Sequence, residues 1–450
     1  MGPDPSLKRT MGVGIATLTL VGYVIGPAIF ILPGQLARQT GPALFIAYIL
    51  AVIPAIFACV VTAEVADSFP TSGAGYVAVS RVLSPFWGFM MVWTVIVLVG
   101  VGVPLLAYGF AQYLGYFIPG MNQMLTALAV VLLFTVINVL GVKLAEWVQA
   151  AMVIEMILAL VFFAVGGLAR GDAALMKPLL PNGLTPVLIA SVPAYISYTG
   201  FMVLAEISGE IRDPARNVPR SLALALFIVF AIYVSVPLAL THLMPWSSFD
   251  GSTPAVGLAA KVFLPGWAAD VISLTALVGA ATSIHGVLLI QSRDVFAMAR
   301  DRVLPEIFAR VDARLGLPIN AVLLLGAISA VGVLLGQSIT SYAIMTVIGF
   351  MIVQILVGSA MWTLPRRLPE VFAGRSWQPG PWVRGFFNGG LIFLSLLYTV
   401  IGVTQSIVST LTYLGFVALG GVYYIWRCKA LLRSGYDVGK ALRADRRVDA

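Results

Sequence analysis

Hydrophobic runs of roughly 20 residues recur along nearly the whole chain, and a run of that length suffices for a helix to span the hydrocarbon core of a bilayer. The runs lack the strict alternation of apolar and polar residues that is typical of barrel strands. The pattern therefore predicts an all-α membrane protein with 12 transmembrane helices. These helices are predicted to begin near Gly12, Ala43, Phe86, Gln123, Glu146, Pro186, Pro219, Trp267, Ile319, Tyr342, Phe387 and Val408.

Two of the runs are interrupted, the first at Gly26–Ala28 and the sixth around Ser197–Gly200. A helix in lipid satisfies its own backbone hydrogen bonds, so a break is tolerated only where protein or a polar cavity receives the freed groups. In secondary transporters built from inverted repeats, broken helices occupy corresponding positions in the two halves, near the middle of the bilayer. The paired breaks therefore predict a transport site.

Composition and charge add an orientation to this prediction. Of the 450 residues, 60% are hydrophobic and 10% are charged, and the mean hydropathy is +0.98. Cytoplasmic loops of membrane proteins carry an excess of Lys and Arg. With a cytoplasmic N-terminus, 23 of the 27 Lys and Arg residues face the cytoplasm, and the other four are Arg38, Arg170, Lys177 and Lys261. We expect a multi-pass protein of the cell membrane with both termini cytoplasmic, whose net charge of +8 requires no nucleic-acid partner.

The chain lacks the residue patterns of an enzyme. It has two histidines and two cysteines, Cys59 and Cys428, which lie far apart and form neither a disulfide framework nor a metal motif. No stretch matches a phosphate-binding loop. A channel would be expected to have a carbonyl filter or a ring of charges, and neither is visible, although a channel stays an alternative. We predict no enzyme activity, no cofactor and no metal site.

Short motifs in three parts of the chain resemble those of the amino acid-polyamine-organocation superfamily. The motifs are Thr62–Pro70, Ser72–Tyr76, Ser84–Phe89, Gly209–Arg220, Ser292–Arg293, Ala297–Asp301 and Leu304–Pro305. The resemblance, to the amino acid transporter branch, implies a leucine-transporter-type core of five-plus-five inverted repeats with discontinuous helices 1 and 6. It also implies alternating access for a small organic solute.

The resemblance also implies a division of the chain into one transport core with flanking segments. The expected parts are a cytoplasmic N-terminus at 1–10, a ten-helix core at 11–364, a cytoplasmic loop at 365–385, helices 11 and 12 at 386–428, and a basic cytoplasmic tail at 429–450.

At the first break, members of the family usually have Gly-Ser-Gly or a similar sequence, whose amides and hydroxyl take the substrate's α-carboxylate. This chain has Gly26–Ala28 there. Proline has no N–H to donate and alanine lacks the freedom of glycine, so the site has fewer donors than the family pattern. The N–H groups of Ala28, Ile29 and Phe30 remain, and recognition of a carboxylate stays open.

At the second break, hydroxyls, carbonyls and aromatic faces suit a cationic amine. Met202 stands where many members of the family have a Glu, which leaves Glu206 as a candidate replacement. Uncharged residues around the expected pocket favour apolar or aromatic substrates. The predicted substrate-binding residues are Ile25, Gly26, Pro27, Ala28, Ile29, Val103, Tyr195, Ser197, Tyr198, Thr199, Gly200, Phe201 and His285.

Ionisable and hydroxyl side chains inside the spans are candidates for ion coupling. Glu155 lies in span five, where proton-coupled relatives carry a lysine at or within one residue of this position. It is a candidate to carry a proton or to help bind sodium, or it is a protonated acid in a helix contact. Thr282 and Ser283 lie on the face of span eight that the resemblance suggests for sodium. His285 is either a proton relay, a substrate contact or a structural residue.

The charged residues near the cytoplasmic ends of the spans are expected to form gate or structural ion pairs. These residues are Glu64, Asp67, Arg81 and Glu206. The chain as a whole is predicted to be a secondary active transporter of an amino acid or related amine. Proton coupling ranks before sodium symport and before exchange. The expected partners are the small-molecule substrate, H⁺ or Na⁺ and the lipid bilayer, with the oligomeric state open.

Overall fold

The computed structural model describes residues 11–71, 73–141, 146–208, 211–249, 254–312, 315 and 317–436. Among these residues no strand occurs, and an isolated bridge pairs Met11 with Ile211. The predicted N-terminal segment 1–10 and residues 437–450 of the predicted tail lie outside the described residues. The prediction of an all-α protein is confirmed for the described part of the chain.

Seven helices form the first half of the described chain. They are α1 (Val13–Val24), α2 (Ala28–Thr40), α3 (Leu44–Ser68), α4 (Ala74–Val82), α5 (Pro85–Phe117), α6 (Gln123–Val139) and α7 (Glu146–Arg170). A short 3₁₀ turn, Gly41–Ala43, separates α2 from α3. The helices α1 and α2 together occupy the first hydrophobic run, so one predicted span consists of two helices.

Ten helices follow in the second half. They are α8 (Thr185–Tyr195), α9 (Val203–Glu206), α10 (Pro214–Leu243), α11 (Ala255–Ala260), α12 (Gly266–Arg300), α13 (Ile319–Leu334), α14 (Ile339–Arg367), α15 (Pro369–Ala373), α16 (Pro381–Gln405) and α17 (Ile407–Arg433). The last two helices begin earlier and end later than the 386–428 expected for helices 11 and 12, because Pro381 starts α16 as a first helical residue.

The described residues contain nine helical segments that are long and apolar enough to cross a membrane, and three shorter apolar helices, α1, α6 and α13. Many of their large apolar side chains face outward; examples are Phe227 at 72%, Phe393 at 64% and Val408 at 79% exposure. Such an apolar surface suits lipid, not water. The chain is a multi-pass membrane protein, while the count of 12 spans stays a prediction.

Small residues allow the central helices to pack closely, as is common between helices in membranes. The clearest case joins α5 to α13, where the backbone of Gly100 meets Gly332. A Cβ on Gly332 would overlap the carbonyl oxygen of Gly100 and lie 2.8 Å from Cγ of Pro104. The short distance between α5 and α13 therefore requires that residue 332 is a glycine, which has no Cβ.

We expect Gly332→Ala to lower the midpoint of thermal unfolding in detergent, because the added methyl group forces α13 away from α5. Overpacking of this kind costs about 1–3 kcal/mol. The matched control is Gly415→Ala in α17, where a Cβ would meet nothing within 4 Å. Equal midpoints for the two variants would show that the contact between Gly100 and Gly332 does not limit stability.

Candidate functional site

The first membrane-spanning run is interrupted between α1 and α2, at the position that the sequence predicts. Helix α1 ends at Val24, and α2 begins at Ala28 with Pro27 as its N-cap. The N–H of Gly26 turns back to the carbonyl of Val24 at 2.8 Å, and the N–H of Phe30 donates to the carbonyl of Pro27 at 2.9 Å. Pro27 suits this place because it starts a helix well but cannot donate a hydrogen bond into the preceding one.

The break leaves two backbone donors at the start of α2. Within the described part of the chain, the N–H groups of Ala28 and Ile29 have no hydrogen-bond acceptor. They lie at the positive end of the α2 dipole, where an anionic group is favoured. The hydroxyl of Ser283 lies close by, since a Cβ on Gly26 would be 3.6 Å from Ser283 Oγ. This arrangement is able to bind a carboxylate.

The second interrupted run takes a different form from the open break expected of it. Helix α8 ends at Tyr195 and continues as a 3₁₀ helix, Ile196–Met202, before the short α9. A 3₁₀ helix is tighter than an α-helix and still pairs backbone groups, here with help from Thr199 Oγ1, which donates to the Ile196 carbonyl at 2.8 Å. The second segment therefore offers fewer free backbone groups than the first.

The two segments touch each other at Gly200. A Cβ on Gly200 would lie 3.0 Å from Cγ2 of Val24, 3.1 Å from Cδ1 of Tyr23 and 3.2 Å from Cα of Val24. These distances are shorter than most contacts of a Cβ atom, so a side chain at this position would require its neighbours to shift. The structure thus brings the end of α1 against the middle of the 3₁₀ helix.

Three buried tyrosines surround this contact. Tyr233 of α10 donates to the carbonyl of Val24 at 2.8 Å, so it satisfies an acceptor at the end of α1. Tyr198 donates to the carbonyl of Tyr48 in α3 at 3.3 Å. The ring of Tyr233 lies edge-on to both others, with centroids 5.1 Å from Tyr198 and 6.2 Å from Tyr48. Tyr233 was not predicted from the sequence, because nothing local distinguishes it from other tyrosines in apolar runs.

Tyr195 contacts helices α14 and α16. Gln354 of α14 donates from Nε2 to its hydroxyl at 2.5 Å, and the ring of Tyr398 of α16 lies edge-on at 5.7 Å. Tyr195 is fully buried, and its hydroxyl accepts this bond from Gln354. The Tyr195 hydroxyl therefore bonds to α14. Gly200, five residues later, contacts α1 instead. Gln354 was missed, although a glutamine within an apolar run is itself a signal.

The other predicted substrate contacts are inside the protein. Thr199 is 8% exposed, and Ala28, Gly26 and Gly200 are half-buried. The remaining ones are almost completely buried; they are Ile25, Pro27, Ile29, Val103, Ser197 and Phe201.

His285 lies where α12 packs against α6. Its ring centroid is 6.4 Å from that of Phe134, and Asn138 donates from Nδ2 to the His285 carbonyl at 3.4 Å. Its Nδ1 atom has no hydrogen-bond partner among the described residues. The structure therefore places His285 beside α6, in a contact between two helices.

The three predicted ion-coupling residues do not form one cluster. Thr275 of α12 donates to the exposed Glu155 of α7 at 2.5 Å. Thr282 donates back to carbonyls of its own helix, two turns or about 10 Å further along α12. Ser283 is the member that faces Gly26 at the break. Ser283 thus lies beside the candidate substrate site, whereas Glu155 of α7 contacts α12 about two turns away, at Thr275.

An ion cluster ties the end of α3 to the segment before α16. Arg375 Nη2 lies 3.7 Å from Glu64 Oε2, and Arg375 Nε lies 4.0 Å from Asp67 Oδ2. Asp67 also accepts from the backbone N–H groups of the two residues after Arg375, at 3.3 and 3.1 Å. Asn388 donates to Glu64 Oε2 at 3.3 Å. Burial lowers the pKa of the Arg375 guanidinium, and the neighbouring carboxylates oppose that shift.

Arg375 was missed by the sequence analysis, which grouped Glu64 and Asp67 with Arg81. Arg81 instead lines a cavity of about 320 Å³ together with Arg367. The side chain of Glu206, the fourth predicted member, lies outside the described part of the chain.

The chain is thus a multi-pass helical membrane protein in which two interrupted spans contact each other. The family model described as amino acid permease matches residues 13–423. The chain therefore belongs to the amino acid permease family, and its resemblance to the wider superfamily is confirmed. Members of this family are transporters, not enzymes.

Similar proteins include a methylthioribose transporter of Bacillus subtilis, 27% identical over 438 residues, which cover 93% of both chains. A branched-chain amino acid permease of the same organism is 27% identical over 390 residues, covering 82% of this chain and 83% of the relative. The vacuolar cationic amino acid transporter 4 of Arabidopsis thaliana is 26% identical over 353 residues, 73% of this chain and 58% of the relative.

We expect Gly200→Ala to weaken ligand binding, because its methyl group would lie 3.0–3.2 Å from Val24 and Tyr23 and shift the 3₁₀ helix at the junction of the two interrupted spans. The measurement is the affinity of the purified protein for any solute that stabilises the unsubstituted protein. Gly14→Ala in the exposed part of α1 is the control, since a Cβ there meets nothing within 4 Å. Unchanged affinity for Gly200→Ala would contradict the importance of this contact.

Proposed function

We propose that this protein is a secondary active transporter that moves an amino acid or a related amine across the cell membrane by alternating access. The observation that carries the proposal is the contact of the two interrupted spans at Gly200, beside the open N–H groups of Ala28 and Ile29. Backbone donors that lack an acceptor are costly in an apolar interior unless a ligand or water binds them. A solute with a hydrogen-bond acceptor fits this place.

The chemistry of the first break favours a carboxylate as that acceptor. Two neighbouring N–H groups at the start of the 13-residue α2 resemble other anion sites at helix N-termini. Pro27 removes one donor of the family pattern, but the next two amides remain, and Ser283 adds a hydroxyl near Gly26. We therefore propose that the substrate is an amino acid whose α-carboxylate binds Ala28 and Ile29. Uncharged residues expected around the pocket, such as Val103, favour an apolar or aromatic side chain.

A neutral solute is the second candidate. The methylthioribose transporter is similar along 93% of the chain, and the name of its solute is that of a sugar derivative without a carboxylate. Two other relatives are named for branched-chain and cationic amino acids. The names of the three relatives support a small organic solute as the substrate of this protein. Binding measurements are needed to distinguish among these solutes.

We propose proton coupling, with the carboxyl group of Glu155 as the proton carrier. The support is its position within a membrane helix, where an ionisable group is costly and is commonly retained for function. Its hydrogen bond from Thr275 orients the carboxyl group toward α12. The sodium-coupled alternative would use Ser283 with carbonyl groups at the first break, and the exchanger alternative needs no coupling ion. A channel, in contrast, would show no countertransport.

The proposed topology has 12 spans, with spans one to five and six to ten as inverted repeats and both termini in the cytoplasm. The support is the distribution of Lys and Arg, with 23 of 27 on the proposed cytoplasmic side. In this topology α16 and α17 lie outside the repeats, and the cluster of Glu64 with Arg375 lies at the cytoplasmic face.

The ligand class is tested by thermal stabilisation of the purified protein with matched pairs of solutes, each amino acid beside its decarboxylated amine, and with methylthioribose. A ligand that binds only the folded protein raises the midpoint, by about 2.7 kcal/mol of stability at 100 times Kd. We expect amino acids to stabilise and their amines not to. Stabilisation by the amines alone would contradict carboxylate binding, and stabilisation by methylthioribose alone would favour the second candidate.

Proton coupling is tested by uptake into proteoliposomes with and without an inward proton gradient. We expect the gradient to drive accumulation by the unsubstituted protein, and Glu155→Gln to abolish accumulation while exchange of internal for external solute continues. The control is Glu306→Gln, which alters an exposed carboxylate outside the spans. If Glu155→Gln still accumulates solute, another group carries the proton; accumulation driven by sodium alone would replace the proton mechanism.

A further inference from the structure

Helix α16 presents a row of polar side chains to the rest of the protein. The spacing of the row, seven, three and seven residues, keeps its members on one face of a helix. Each member donates a hydrogen bond to another helix: Asn388 to Glu64 Oε2 at 3.3 Å, Ser395 to Gln354 Oε1 at 3.3 Å, Tyr398 to the Leu50 carbonyl at 3.2 Å, and Gln405 to the Ile189 carbonyl at 3.2 Å.

Two of these acceptors are carbonyl groups that proline has freed. Leu50 lies four residues before Pro54 in α3, and Ile189 lies four residues before Pro193 in α8. Proline has no N–H, so neither carbonyl has its usual partner within the helix. In an apolar environment such carbonyls must be satisfied by neighbouring side chains or water. Tyr398 and Gln405, the third and fourth members of the row, supply the missing bonds.

A third bond of α16 reaches the candidate site through Gln354. Ser395 donates to Gln354 Oε1, and Gln354 donates from Nε2 to the hydroxyl of Tyr195 at 2.5 Å. All three side chains are at most 1% exposed. Tyr195 is the last residue of α8, directly before the 3₁₀ helix that contains Gly200. Together with the bond to Ile189, α16 therefore holds the last two turns of α8.

We propose that Gln354 is a positioning residue for the substrate site, through which α16 sets the orientation of Tyr195 and of the 3₁₀ helix after it. A buried amide with a partner at each end has one preferred orientation, because rotating it breaks both bonds. Without this link, the 3₁₀ helix is free to shift against Val24, and the site loses its arrangement before the protein loses its fold. The proposal rests on the transport function proposed above.

A double-mutant cycle between Tyr195→Phe and Ser395→Ala tests the link. The two hydroxyls bond to opposite ends of Gln354, so any coupling between them runs through that residue. We expect each single variant to raise KM about fivefold, the effect of one hydrogen bond of average strength, with little change in the maximal rate. The double variant and Gln354→Leu should then resemble a single variant. A double effect equal to the product of the single effects, or single variants with normal KM, would overturn the proposal.

Two further variants separate positioning from general stability. Ser395→Thr keeps the hydroxyl group and should restore a normal KM. Thr399→Ala removes a hydroxyl one turn away on α16 that bonds only to the Ser395 carbonyl of its own helix, and it should leave KM unchanged. If Thr399→Ala raises KM as much as Ser395→Ala does, the effect belongs to α16 in general and the role of Gln354 is overturned.

A readout that needs no substrate distinguishes failure of this proposal from failure of the proposed function. Cys59 is 7% exposed and belongs to α3, which packs along α8, the helix that ends at Tyr195. In a Cys428→Ser background, N-ethylmaleimide should alkylate Cys59 faster in Tyr195→Phe, in Gln354→Leu and, to the same extent, in the double variant. If the unsubstituted protein transports none of the solutes, the proposed function fails, but the alkylation rates still test the role of Gln354. Variants whose Cys59 is alkylated at the same rate as in the unsubstituted protein would overturn that role.

Discussion

The need of each backbone carbonyl and N–H for a partner in apolar surroundings is the constraint on which this structure depends. Proline or a break removes the usual partner from Val24, Leu50 and Ile189. Side chains of other helices donate instead: Tyr233 to Val24, Tyr398 to Leu50, and Gln405 to Ile189. Each of these three replacement bonds also joins two helices, so it stabilises the contact between them. The carbonyl groups that lost their usual partners are thus hydrogen-bonded to side chains of α10 and α16.

The same constraint makes the two interrupted spans unequal. In the second, the 3₁₀ geometry pairs most backbone groups, and the segment contributes close packing at Gly200 and aromatic rings. In the first, the N–H groups of Ala28 and Ile29 stay open within the described part of the chain. A ligand that accepts hydrogen bonds is best accommodated there. The second span then serves mainly to define the wall opposite α1.

Buried charge follows a parallel rule at the end of α3. Removing Glu64 and Arg375 from water is costly, and pairing of the two charges offsets that cost only when hydrogen bonds to their surroundings are added. Asn388 donates such a bond to Glu64, and the backbone after Arg375 donates two to Asp67, the second carboxylate near Arg375. Because Asn388 belongs to α16, this helix contacts α3 both at its charged end and at the Leu50 carbonyl. A helix outside the proposed repeats is therefore joined to the helices that carry the site.

The sequence by itself determined the class of fold and the place of the first break, because runs of apolar residues and the lack of an N–H at Pro27 act locally and need no partner. It also named Gly200 as part of the second break, whereas it assigned Ser283 to ion coupling and not to the first break that the hydroxyl faces. Only the tertiary structure decided which donor serves which acceptor. Arg375, not Arg81, is the cation beside Glu64, and Tyr233 and Gln354 contact the interrupted spans from far along the chain. Such pairings depend on which helix faces which, and hydrophobic periodicity carries no information about that when helices are apolar on all sides.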